Sequence, residues 1–117
     1  MKTLTYYHSR NVDEVRYEDE RHVSMHLHPL DRNVPTQFQW GSESEEAVNL
    51  SAAILYNFFV NVSRHSFSNA KALASALAPA FCHQFVAGFK DGWRLSSTVI
   101  DAWVTVVLSS AGKYLRG

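Results

Sequence analysis

Three histidines fall within the stretch HVSMHLH, at positions 22, 26 and 28, and imidazole is the side chain most often used to hold zinc or a similar ion near neutral pH. If the stretch is a strand, His26 and His28 are two residues apart and project the same way, about 7 Å from each other by strand rise. With His22 or a distant carboxylate they could share a zinc or nickel ion and support a metal-dependent reaction. The same alternation also describes a solvated polar face, because the spacing fixes no third ligand.

A second chemical candidate is Cys82 beside His83. Neighbours on a helix point about 100° apart, so the imidazole is badly placed to activate the adjacent thiol. Cys82 lies in the apolar run APAFCHQFVAGF and reads as core. The chain has no phosphate-binding glycine loop, dinucleotide fingerprint, His-Glu-x-x-His or Cys-x-x-Cys. Catalysis and a cofactor are therefore not expected.

The charged residues suggest recognition instead. Eleven basic and eleven acidic residues cancel overall, yet residues 1–46 hold nine acids against five bases while residues 47–117 hold two against six. The halves can neutralise each other across the fold, or the acids can present a face to a basic partner. Candidate partner-binding residues are Asp13, Glu14, Glu18, Asp19 and Glu20, together with Glu43, Glu45 and Glu46. The bases Arg64, Lys71, Lys90, Arg94, Lys113 and Arg116 support a nucleic-acid-associated regulator less well, since they are scattered and phosphate binding favours a contiguous patch.

These groups must be carried by a single domain, as 117 residues at 46% hydrophobic suffice for one core. One cysteine excludes an intrachain disulfide and suits a reducing compartment. MKTLTYYHSR lacks the apolar run of a secretory signal, and Asn57, Asn61 and Asp101 interrupt the apolar stretches short of the roughly 20 residues a membrane span requires. The expected setting is the cytoplasm of a bacterial host, without membrane insertion.

Residues 1–41 read as mainly β. KTLTYY is an opening strand, and SRNVDEVRYEDER is either a long loop or a charged edge strand. HVSMHLH is a strand with Val23, Met25 and Leu27 on its buried face. PLDRNVP supplies turn chemistry, and QFQW a last strand element with Phe38 and Trp40 on one side. Gly41 then lets the chain turn.

Residues 42–117 read as mainly α. Ser42 and Glu45 have capping-box spacing, with Ser44 a competing N-cap, and the acids lie in the first turn of a helix continuing to Val62. A second helical region starts at Ser68 or Asn69, and Pro79 should kink or split it before Gly88. FKDGWRLSS is a turn cornered at Asp91–Gly92. A last helix opens at Ser96 or Ser97 and stops at Gly112. It is apolar nearly all round, which suits a core helix or half of a homodimer contact over 97–111. Trp40, Trp93 and Trp103 read as core; an exposed one would be an interface candidate.

FQWGSESEEAVNLSAAIL and FVAGFKDGWRLSSTVIDAW together resemble the pattern of the domain of unknown function 6166 family of small phage, plasmid and bacterial proteins. The matching residues are Phe38, Trp40 and Gly41, then Ala47, Leu50, Ala53, Ile54 and Leu55, then Phe85 to Phe89, and finally Trp93, Leu95 and Ile100, with Trp103 beyond, over about residues 36–103. Where that family carries a glycine-rich, proline-containing linker, this chain has the acidic SESEEA. The resemblance implies a compact α+β fold and a mobile-element setting, and no activity.

The resulting expectation is an α+β protein with a short antiparallel N-terminal sheet packed against three to four C-terminal helices. Its expected role is that of a phage or mobile-element accessory protein that binds and inhibits a host protein, in a process such as CRISPR defence. The alternatives are a small nucleic-acid-associated regulator and a metal-dependent enzyme using the His22/His26/His28 face.

Overall fold

The computed structural model describes residues 2–30 and 37–115. The chain forms β1 (Thr5–Ser9), β2 (Glu14–Glu18), β3 (Ser24–His26), α1 (Glu45–Asn61), α2 (Phe67–Gln84), a short 3-10 turn (Val86–Gly88), β4 (Arg94–Ser96) and α3 (Ser97–Leu115). The four strands make one antiparallel sheet in the order β3-β2-β1-β4. The fold is α+β, as expected.

The sheet is not confined to the first 41 residues. Its fourth strand comes from the segment read as a turn, with Leu95 opposite Tyr6 and Arg94 opposite Tyr7. So short a strand is too brief to show a period, and only pairing with β1, at the other end of the sequence, defines it. QFQW supplies no strand: residues 37–40 are irregular. The polar segment expected as a loop or edge contains β2, an interior strand paired on both sides. The turn expected over 29–35 falls mostly outside the described residues.

Helix α1 is buried all round through its middle, with Leu50 to Leu55, Phe58 and Phe59 all inside. It lies between the sheet and α2, which explains why one amphipathic stripe does not suffice. Tyr6 reaches it from the sheet, its hydroxyl donating to Asn57 Oδ1 at 2.8 Å. Ser44, and not Ser42, is its N-cap, accepting from the Ala47 N–H at 3.3 Å. Helix α2 starts earlier than expected, capped by Ser66. It also runs unbroken through Pro79, which is on the exposed side, as is Ser75, whose carbonyl loses its i+4 donor to the proline ring. That carbonyl can be hydrated, so the helix continues.

Helix α3 passes Gly112 and ends at Leu115. Ser97, Ile100 and Val104 are buried on one side of it, and Trp103 packs edge-on against Phe81 and Phe85 of α2. No helix among the described residues is long and apolar enough to cross a membrane.

Candidate functional site

The histidines do not converge. The Asp19 carboxylate accepts from the Arg21 and Val23 N–H groups at 2.9 and 3.1 Å, closing a turn that holds His22 at φ 63 and keeps it and Val23 off the strand. Those backbone bonds, Val23's foremost, lower the Asp19 pKa. His22 instead faces Glu18 at 3.7 Å and His26 faces Glu14 at 3.4 Å, while His28 lies past the end of β3. No group of three His, Cys, Asp or Glu side chains among the described residues could hold a metal ion. The apolar face expected for this segment is likewise absent: Val23 and Met25 are exposed and only Leu27 is buried, β3 being a short strand at the edge of the sheet.

Cys82 is fully buried with its thiol directed at the Ser42 carbonyl, 3.5 Å away. Burial pushes its pKa up, so it stays a neutral thiol. His83 points elsewhere, to Glu43 at 3.0 Å on the surface. The two make no nucleophile and base.

Most of the candidate acidic residues have partners within the chain. Asp13 meets His8, Glu14 meets Arg16, Glu18 meets Arg94 at 2.6 Å and Glu20 accepts from the Thr3 N–H. Glu18–Arg94 joins the acidic half to the basic half. Glu45 and Glu46 occupy the first turn of α1, where they complement the helix dipole. The acids therefore serve the fold more than they form one face.

The outer face of the sheet carries a cross-strand row of Arg94, Tyr7, Arg16 and His26. Arg94 sits over the Tyr7 ring at 5.1 Å, and Arg16 and Tyr7 share Ser24 Oγ at 2.7 and 2.6 Å. Since Glu14 and Glu18 neutralise the two arginines, the row is not a bare cationic platform.

A buried polar centre that the sequence reading did not single out is His8. It is 6% exposed. The Gly92 N–H donates to its Nδ1 at 2.9 Å; an N–H can only donate, so Nδ1 is bare and the ring proton sits on Nε2, facing Asp13 at 2.9 Å. Trp40 covers the ring at a centroid distance of 4.4 Å. The Trp40 indole N–H in turn donates to Asp91 Oδ1 at 2.9 Å, and Trp40 meets Trp93 edge-on. Phe89 stacks on Trp93 at 4.5 Å. With both ring nitrogens engaged, His8 is a structural clasp and not a free base.

Gly92 has φ 80, and a Cβ there would strike the Arg10 guanidinium, which itself donates to the Asp91 carbonyl. Gly41 has φ 82 and donates to the Val86 carbonyl at 2.9 Å. The aromatic-x-Trp-Gly segment and the Asp-Gly-Trp segment are thus two sides of one junction that ties β1 to β4.

The family described as a family of unknown function, DUF6166, matches residues 7–106. The chain belongs to this family. The match extends well beyond residues 36–103 and takes in most of the sheet, including His8, so the junction, β4 and the last three residues of β1 lie inside the family's span. Neither the curated proteins nor the solved structures yield a significant match.

Proposed function

We propose that this DUF6166 protein acts by binding another protein rather than by catalysis. The observation that supports this is a second apolar stripe on α3. Val99, Ala102 and Val106 recur at i, i+3 and i+7, on the side away from Ile100 and Val104, and all three are exposed, Val106 by 64%. Asp101 is the one charged residue between Arg94 and Lys113, so little charge opposes burial of the stripe. The free part of α3 is suited to a helical contact, with a second copy of the chain or with a different protein.

The narrower reading, in which the partner is a host protein that is thereby inhibited, draws on the mobile-element setting implied by the resemblance. A pull-down from nuclease-treated bacterial lysate, run beside light scattering on the purified chain, tests both levels. A stoichiometric protein partner, or a dimer, that is lost in Val106→Glu supports binding through α3. A monomer that retains no protein, with the wild type and Val106→Glu behaving alike, refutes it.

A further inference from the structure

Two concavities meet along the C-terminal half of α1. The first, about 350 Å³, is walled by Tyr17, Leu30, Tyr56 and Phe67, with Asn57 in its lining. The second, about 430 Å³, is lined by Lys2, Arg64 and His65. Val60 and Phe67 line both, so an aromatic slot opens onto a basic one. Each is within the size range of small-molecule sites.

The polar group of the first slot is already oriented. Tyr6 is fully buried, and burial raises the pKa of its phenol well above the usual range, so it remains a hydroxyl donor. Its bond to Asn57 Oδ1 fixes which way that amide faces and leaves the NH2 as the group to be offered. Phe67 at the border of the two slots is 70% exposed and lines both. In the second slot neither Lys2 nor Arg64 has a carboxylate within 4 Å among the described residues, in contrast to Arg16 and Arg94, although Asp19 is near enough to Lys2 to feel its charge. His65 Nδ1 is buried without a hydrogen-bond partner.

We infer that the joined concavities bind a nucleoside monophosphate group. A planar base fits between Tyr17, Tyr56 and Phe67, with an acceptor on its edge taking the Asn57 NH2. The phosphate is then met by Lys2 and Arg64. The rise of 1.5 Å per residue sets Val60 about 4.5 Å along α1 from Asn57, so base and phosphate subsites are neighbours on one helix and a single small molecule can occupy both. The chemistry is shared by a free mononucleotide and by the 5′-phosphorylated end of a strand. No bond is made or broken in this step.

The test is amide chemical-shift titration of the full chain with AMP, GMP, CMP and UMP, with adenosine and inorganic phosphate as fragments and a 5′-phosphorylated trinucleotide. Saturable binding of at least one mononucleotide below about 1 mM, with each fragment about tenfold weaker, is expected, and the shifts should centre on residues 53–67. Phe67→Ala and Arg64→Asn should each weaken it about tenfold. Both are surface changes, and asparagine tolerates the positive φ of 57 at residue 64. A trinucleotide that binds more tightly than any mononucleotide assigns the site to strand ends; equal or weaker binding assigns it to the free nucleotide. The inference is overturned if no nucleotide binds, if phosphate alone binds as well as the nucleotide, if the shifts fall elsewhere, or if both variants bind like the wild type.

Discussion

Replacing His8 separates the two bonds of its imidazole, and the structure predicts very unequal losses. Asp13 is 88% exposed at its side chain, so its bond to Nε2 is worth no more than a surface ion pair, about 0–1 kcal/mol. The Gly92 N–H is part-buried, and leaving it without an acceptor costs about 1–3 kcal/mol. His8→Ala loses both bonds and vacates the space under Trp40, so its total should be about 3 kcal/mol. At an unfolding entropy of about 2.1 cal/mol/K per residue, that lowers the melting temperature of a chain this size by about 12 °C.

Two further variants make the assignment sharper. Asparagine places its Oδ1 where Nδ1 stood and keeps the Gly92 bond; glutamine reaches Asp13 and loses Gly92. Thermal unfolding followed by circular dichroism should therefore rank the wild type and Asp13→Gly nearly together, glycine being at ease with the φ of 49 at residue 13, then His8→Asn, then His8→Gln, then His8→Ala. If Asp13→Gly costs as much as His8→Ala, or His8→Gln is milder than His8→Asn, the clasp to Gly92 is not what holds β1 to the β4 junction.

Other perturbations probe separate parts of the fold. Tyr6→Phe removes the buried bond to Asn57 and should cost about 1 kcal/mol in denaturant unfolding. Pro79→Ala restores an N–H to the Ser75 carbonyl and should raise the melting temperature, since proline inside a helix is up to about 3 kcal/mol worse than alanine. Cys82 should resist thiol reagents in the folded chain and be labelled only as fast as the protein opens globally. The raised pKa values of Cys82 and Tyr6 mean that the folded chain holds these protons where the unfolded chain releases them. Stability should therefore be unaffected by them at neutral pH and fall as pH rises above the ordinary cysteine and then tyrosine ranges, and Tyr6→Phe should blunt the later loss in urea titrations at alkaline pH.

The sequence by itself determined the parts whose cause is local. Serine followed by acids announces the start of α1, the three-to-four spacing of Leu50, Ile54 and Phe58 carries it forward, and Asp91–Gly92 marks a corner that only glycine's positive φ allows. An apolar helix near the C-terminus was legible for the same reason, and so was the family through its aromatic and glycine spacing. Tertiary structure decided everything that depends on partners far apart in the chain. Arg94–Ser96 has no strand signature and becomes β4 only because Tyr6 and Tyr7 pair with it. The period-2 histidine pattern lost to a turn closed by Asp19 and to the position of β3 at an edge. The acids looked like a face, yet Glu18 finds Arg94 and Asp13 finds a buried histidine. The aromatic and basic slots that meet at Val60 and Phe67 draw on a strand, two helices and the N-terminus, a juxtaposition no linear spacing encodes.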